Sequence, residues 1–338
     1  MSTPNFQPLP WQRTLWTTVA ASMQDDRLGH ALLIAGPPGA GKRHFAACIT
    51  AALWCRQRAT DGTACGACSD CLQVLSEAHS GYFLLRVEEG KRDIPISAVR
   101  ELSEKLTITQ YDGRAKVAII DPADSLNVNG VNALLKTIEE PTPGSHLLLV
   151  SSRPQALAPT LRSRCQRLAI AAPARDVALS WLRVASGGKF DEAALGQAFE
   201  LASGAPLKAI ELLAGNGVAV RADWARGLLD LAHGRGEPVP MAAAINEADP
   251  AGWVQWLYGW LATLLRSRLS AQAGDDAGLR SLALRLPAEL LDRYVAEAQT
   301  ALERIHGAAD KKLVIESLLI GWIALLARAG RAAQNPRT

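Results

Sequence analysis

Ala31-Leu32-Leu33-Ile34-Ala35-Gly36-Pro37-Pro38-Gly39-Ala40-Gly41-Lys42-Arg43 runs from five apolar residues through a glycine-rich turn into a helical pattern carrying Phe45, Ile49 and Leu53. Strand, glycine loop and helix in that order make a phosphate-binding loop. Its glycines let backbone N–H groups face phosphate oxygens, the helix N-terminus adds a favourable dipole, and the lysine reaches the β- and γ-phosphates. Gly36, Gly39, Gly41 and Lys42 are therefore the candidate nucleotide-binding residues. The next position departs from the pattern. A Ser or Thr hydroxyl would ligate magnesium there, and this chain places Arg43, a bulky cation, close to where the divalent ion must sit. Affinity for Mg-ATP is expected to fall even if the loop keeps its shape.

Outward from the loop, apolar runs at 31–35, 83–87, 117–121, 147–150 and 168–172 alternate with helical patterns such as 96–106 and 131–140. This predicts an α/β domain with a mainly parallel sheet wrapped by helices. Lys116-Val117-Ala118-Ile119-Ile120-Asp121 ends on the aspartate of a second acidic motif, but Pro122 follows where a glutamate would orient the attacking water. Proline can neither accept a proton nor position one. Two independent catalytic groups are missing, so the domain reads as a nucleotide-hydrolase scaffold without intrinsic activity. The alternative is an ATP-hydrolysing subunit that tolerates Arg43 and holds magnesium through Asp121 alone.

Cys65, Cys68 and Cys71 form C-x2-C-x2-C in a loop rich in Gly, Ala, Ser and Asp, and Cys55 lies upstream at the end of the loop's helix. Four thiolates can close a tetrahedral zinc site with every position filled by protein, which is a structural rather than a catalytic arrangement. Iron is the alternative ion for the same donors. Redox use of a C-x-x-C pair would need a thioredoxin-like context, which is lacking. Cys48, seven residues before Cys55, reads as a buried free thiol.

The chain of 338 residues is more than twice the usual domain size of roughly 150. After Pro173 the strand signal fades into three short helical patterns at 176–185, 191–202 and 206–213, and from 217 onward Ala, Leu and Arg recur at helical spacing. Three domains are expected: 1–172 with a cysteine insertion at 55–71, a small helical domain at 173–216, and an all-helical domain at 217–338. Trp253, Trp256 and Trp260 fall on one helix face and are expected in its core. Lys plus Arg is 36 against 33 for Asp plus Glu, a net charge of +3. That is too small to argue for nucleic-acid binding by charge alone, which weakens a third reading, a zinc-stabilised DNA-binding module. The longest nearly unbroken apolar run, 318–327, is short of the ~18 to 20 residues of a bilayer span. The N-terminus shows no secretory pattern, so a cytoplasmic protein without membrane contact is the expectation.

Three further strings carry a resemblance: Asn132-Ala133-Leu134-Leu135-Lys136-Thr137-Ile138-Glu139-Glu140-Pro141, Thr160-Leu161-Arg162-Ser163-Arg164-Cys165, and the cysteines between phosphate loop and acidic motif. By themselves, the first is an amphipathic helix burying Leu134, Leu135 and Ile138, and Arg164 is one of three arginines in a surface stretch with Arg162 and Arg167. Together the strings closely resemble the bacterial clamp-loader subunits of the AAA+ class. The resemblance implies an AAA+ (P-loop NTPase-like) α/β parallel-sheet domain, then a small helical lid domain and an all-α collar domain. It implies that Arg164 is an arginine finger offered in trans to ATP bound on a neighbouring subunit. Motor subunits of that family keep a full P-loop and acidic pair. Arg43 and Pro122 set this chain with the branch that keeps the zinc cysteines and the arginine but loses the ATPase residues. Ser203-Gly204-Ala205-Pro206-Leu207-Lys208-Ala209 resembles the lid motif whose arginine senses nucleotide, with Leu207 in that arginine's place. Lys312-Leu313-Val314-Ile315-Glu316-Ser317-Leu318-Leu319 looks like a collar helix. The implied role is a non-hydrolysing clamp-loader subunit of the DNA polymerase III holoenzyme. Its implied partners are the motor (gamma/tau) and delta subunits and, through the assembly, the sliding clamp and primer-template DNA.

Overall fold

A computed structural model describes residues 6–88, 91, 93–107, 115–269, 277–305 and 309–334. The chain divides into two compact units, Met1–Trp181 and Leu182–Thr338.

In the first unit, α1 (Arg13–Gln24) leads into β1 (Ala31–Ala35), α2 (Lys42–Trp54) and α3 (Ser69–Leu75). Then come β2 (Tyr82–Leu85), α4 (Ile96–Thr107), β3 (Lys116–Ile120), α5 (Val128–Glu139), β4 (Ser145–Ser151), α6 (Pro159–Arg162) and β5 (Gln166–Ala169). The five strands form one parallel sheet in the order β2-β3-β4-β1-β5. Parallel strands covered on both faces read as continuous apolar runs, and β1 and β3 are buried along their whole length. Alternate side chains enter two different cores. Leu32, Ile34, Val117, Ile119, Leu148 and Val150 pack with Trp16, Phe45 and Ile49 on one face. Leu33, Ala118, Ile120, Leu147 and Leu149 pack with Val99, Leu102, Leu134 and Ile138 on the other.

The last strand departs from the expected 168–172. It pairs with β1 from Leu32↔Gln166 to Ala35↔Ala169, so it lasts only until β1 turns into the glycine loop. As an edge strand it buries only Leu168 of its four residues, which is why its apolar signal is weak.

α7 (Arg175–Ala185) carries the chain into the second unit, which is helical throughout its described residues: α8 (Glu192–Leu201), α9 (Pro206–Ala214), α10 (Gly217–Ala232), α11 (Pro238–Ala248), α12 (Pro250–Leu269), α13 (Ala277–Arg285), α14 (Ala288–Ile305) and α15 (Lys311–Gln334). Trp253, Trp256 and Trp260 are all buried, as their spacing implies, in one cluster with Trp224, Leu291, Tyr294 and Trp322. Trp322 Nε1 donates to Leu228 O at 3.0 Å, tying α15 to α10. By length and composition Lys311–Gly330 of α15 could cross a bilayer, a length that counting unbroken apolar runs does not register. Ile315, Leu319 and Trp322 are fully buried in the helical core, so α15 packs as a core helix.

Candidate phosphate loop, cysteine centre and arginine tip

The glycine loop has the shape its sequence implies. Gly39 (φ 70°) and Gly41 (φ 81°) adopt the left-handed region that glycine enters without strain, and Gly41 caps the first turn of α2. Gly36 N donates to Ser151 O at 3.3 Å, fixing the loop to the end of β4. Lys42 is buried, and its Nζ donates to Gly36 O at 2.9 Å and Pro37 O at 2.8 Å. The cation thus sits on carbonyls of its own loop.

A brace that sequence reasoning missed holds the loop from outside. Gln12 is fully buried; its Nε2 donates to Ala40 O at 2.9 Å and Gly41 O at 3.0 Å, and its Oε1 accepts from Leu9 N at 3.1 Å. Trp11 Nε1 donates to the same Ala40 O at 3.0 Å, and its ring meets Trp181 edge-on at 5.5 Å. Glutamine and tryptophan before a helix carry no motif, so no sequence signal marks them.

Arg43 reaches the acidic motif. Its Nη2 lies 3.1 Å from Glu77 Oε1 and its Nε 4.0 Å from Asp121 Oδ2. Arg86 Nη2 joins Glu77 Oε1 at 2.6 Å. Burial raises the Asp121 carboxyl above its ordinary pKa, while the Arg43 and Lys42 charges pull it back down. Asp124 is committed elsewhere: it accepts from Ser151 Oγ at 2.5 Å, Ser152 N at 2.9 Å and Arg153 N at 3.2 Å. It therefore shapes the turn after β4.

At the other end of α2, Cys55 is the C-cap. Sγ of Cys55, Cys65, Cys68 and Cys71 all lie within 4.8 Å of one another. Four sulfurs about 2.3 Å from one tetrahedral ion would lie roughly 3.8 Å apart, and Cys65 and Cys71 Sγ are 3.9 Å apart. Gly66, at φ 73°, turns the chain so that Ala67 N and Cys68 N both point at Cys65 Sγ, at 3.5 and 3.3 Å, while Cys65 N donates to Cys55 Sγ at 3.3 Å. The Ala67 and Cys68 amides hold the Cys65 thiol down at about 6, whereas burial pushes Cys55 and Cys71 up. Convergent amides around a thiolate set are what a metal centre needs, and these four residues could hold a metal ion. Behind them His79 stacks on Trp54 at 3.8 Å, accepts from Gly81 N at 3.1 Å and lies 3.9 Å from Asp70 Oδ1. Cys48 stays outside this cluster, fully buried, with its thiol pushed up to about 12 by desolvation.

Arg164 lies in neither place. It follows α6, whose buried Leu161 anchors the turn, and its side chain is 40% exposed. Its Nε donates to Glu139 Oε1 at 2.7 Å and Nη1 to Thr160 O at 3.0 Å. Leu207, in the second unit, is half-buried in the first turn of α9.

A parallel sheet in this order, with a phosphate loop after its β1 strand and an acidic motif after β3, defines the first unit as an AAA+ domain. The family described as "DNA polymerase III, delta subunit" matches residues 11–174, and its C-terminal counterpart matches 216–324. The chain is 33% identical over 330 residues to the DNA polymerase III subunit delta' of Pseudomonas aeruginosa, covering 94% of this chain and 97% of that one. It is 33% identical over 321 residues to the subunit of the same name in Escherichia coli K12, covering 92% and 94% of the two chains. Similarity extends to the E. coli DNA polymerase III subunit tau, at 27% over 355 residues and 54% of that chain. The chain belongs to the DNA polymerase III subunit delta' family.

Proposed function

We propose that this chain is a non-hydrolysing subunit of a clamp loader, which scaffolds the assembly and supplies Arg164 in trans to ATP bound on a neighbouring tau/gamma-type motor subunit. The observation that carries the reading is the state of the two cationic sites. Arg43 is paired with Glu77 and Asp121, where magnesium would be handled, whereas Arg164 lies away from that site, 40% exposed, with Glu139 as its carboxylate partner. A motor-subunit reading needs Asp121 for the metal and a water-orienting group after it; Arg43 takes the first and Pro122 replaces the second. A finger stabilises negative charge developing on the transferring phosphoryl group, so this chain would complete chemistry whose other parts lie on its neighbour.

On this reading the four cysteines hold a structural zinc, the helices at 173–216 form the lid, and 217–338 form the collar that joins the delta and motor subunits. The assembly acts in the cytoplasm on the sliding clamp and primed DNA. The test is ATP turnover by the reconstituted complex. Arg164→Ala in this chain should lower turnover at the neighbouring site by about 10³-fold or more. Unchanged turnover would remove the finger role.

A further inference from the structure

Glu139 has no assigned task in this scheme, and its position argues for one. It is the last residue of α5, with Glu140 as the C-cap. The carbonyl end of a helix carries partial negative charge, so a carboxylate there is disfavoured and Lys or Arg is the stabilising choice. The helix itself therefore gains nothing from Glu139. The carboxylate instead receives Arg164 Nε at 2.7 Å, across 25 positions of sequence, while Thr160 O receives Nη1 at 3.0 Å. Those bonds use two of the guanidinium's five N–H donors, one on Nε and one on Nη1, and leave three, including both on Nη2, for an anion.

We infer that Glu139 is a positioning residue for Arg164: with Thr160 O it fixes the plane of the guanidinium, so that Nη2 meets the incoming phosphate already oriented. The inference rests on the finger reading above. An exposed carboxylate suits this task. The pair is weak enough to shift as the phosphate arrives, yet it narrows the rotamers of a long side chain before the encounter. It also gives the motif that ends in Glu139-Glu140-Pro141 a role besides packing Leu134 and Ile138 into the core, since the last turn of α5 lies where the arginine must be held.

The experiment is steady-state ATP turnover by the complete reconstituted assembly, with this chain as wild type, Glu139→Gln, Arg164→Ala and the double variant. Thermal melting of the isolated full chain accompanies it. Glu139→Gln should lower kcat about two- to fivefold, the factor that an exposed pair supports, with KM for ATP unchanged. In the Arg164→Ala background it should have no further effect, because its action passes through the arginine. Melting should be unchanged or slightly raised, since a charge leaves the negative end of a helix, so a drop in kcat cannot be assigned to a weaker fold. Turnover unchanged or raised by Glu139→Gln, or a loss that adds to that of Arg164→Ala, overturns the inference while leaving the finger reading standing. If Arg164→Ala itself leaves turnover unchanged, the finger reading fails first.

Discussion

The two ends of α2 make opposite use of the same helix. At the N-terminus the backbone of a phosphate site survives: left-handed glycines, a buried lysine, a capped first turn. Its side-chain chemistry has turned inward, with Lys42 on loop carbonyls and Arg43 on Glu77 and Asp121. At the C-terminus the reverse holds. The loop from Cys55 to Cys71 has almost no regular structure before α3, and four side chains define it. On the proposed reading, backbone geometry persists at one end after its chemistry is lost, and at the other an irregular loop persists on chemistry alone. If so, the cysteine end should be fragile to loss of side chains and the phosphate end tolerant of it.

The largest effect is expected at the cysteine end. Ligation contributes on the order of 10 kcal/mol to ordering a small zinc peptide. Here the loop and α3 also supply Cys55, Ala64, Cys71 and Val74 to the core around Trp16 and Ile49. Chelation, or Cys71→Ala, should lower the melting temperature of the full chain sharply and strip hydrogen-exchange protection from residues 55–71. Thiol counting at pH 8 sharpens the contrast. The four clustered cysteines should become reactive on chelation as their loop opens, while Cys48, fully buried in the sheet core, stays unmodified. A melt indifferent to chelator would mean that packing, not a metal, holds this end.

An intermediate effect is expected at the brace of the phosphate end. Gln12→Leu keeps the volume but leaves Leu9 N without its buried acceptor and takes one donor each from Ala40 O, which keeps Trp11 Nε1, and Gly41 O, which keeps Phe45 N. Unmet buried groups of this kind cost about 1–3 kcal/mol. Denaturant unfolding should show a fall of that size, smaller than the loss expected at the cysteine end. A change below the error of the measurement would place the loop's rigidity in its glycines and Lys42 rather than in the brace.

Much of this contrast was legible in the sequence, and the parts that were not have a common cause. The glycine loop, the acidic strand and the cysteine spacing are local, so a few adjacent residues specify them. The tryptophan stripe at 253, 256 and 260 is also local, through helical period. Gln12 on Ala40, Glu77 on Arg43 and Glu139 on Arg164 are pairings across 28, 34 and 25 positions, created by the sheet bringing distant turns together. No spacing rule announces them. The wrong bounds of β5 have the same origin, because a strand's length is set by its neighbour β1 and not by its own apolar run.

The smallest effect on stability, and the most direct test of the contrast, belongs to Arg43→Thr. The pair with Glu77 is half-exposed, at 50% and 45%, and Glu77 keeps Arg86; Asp121, 21% exposed and 4.0 Å away, keeps the Lys42 charge. Such pairs contribute about 0–1 kcal/mol, so the melt should barely move. The substitution restores a hydroxyl at the position that ligates magnesium and releases Asp121 from its guanidinium neighbour. If only the side-chain chemistry of this end has been lost, calorimetric titration should show ATP binding that requires magnesium in the variant and none in the wild type. Turnover should stay absent from both, because Pro122 still offers no group to orient water. Failure of the variant to bind would break the contrast at its root. The loop would then be closed by Lys42 on Gly36 and Pro37 and by the Gln12 brace, and its backbone would have been remade along with its chemistry.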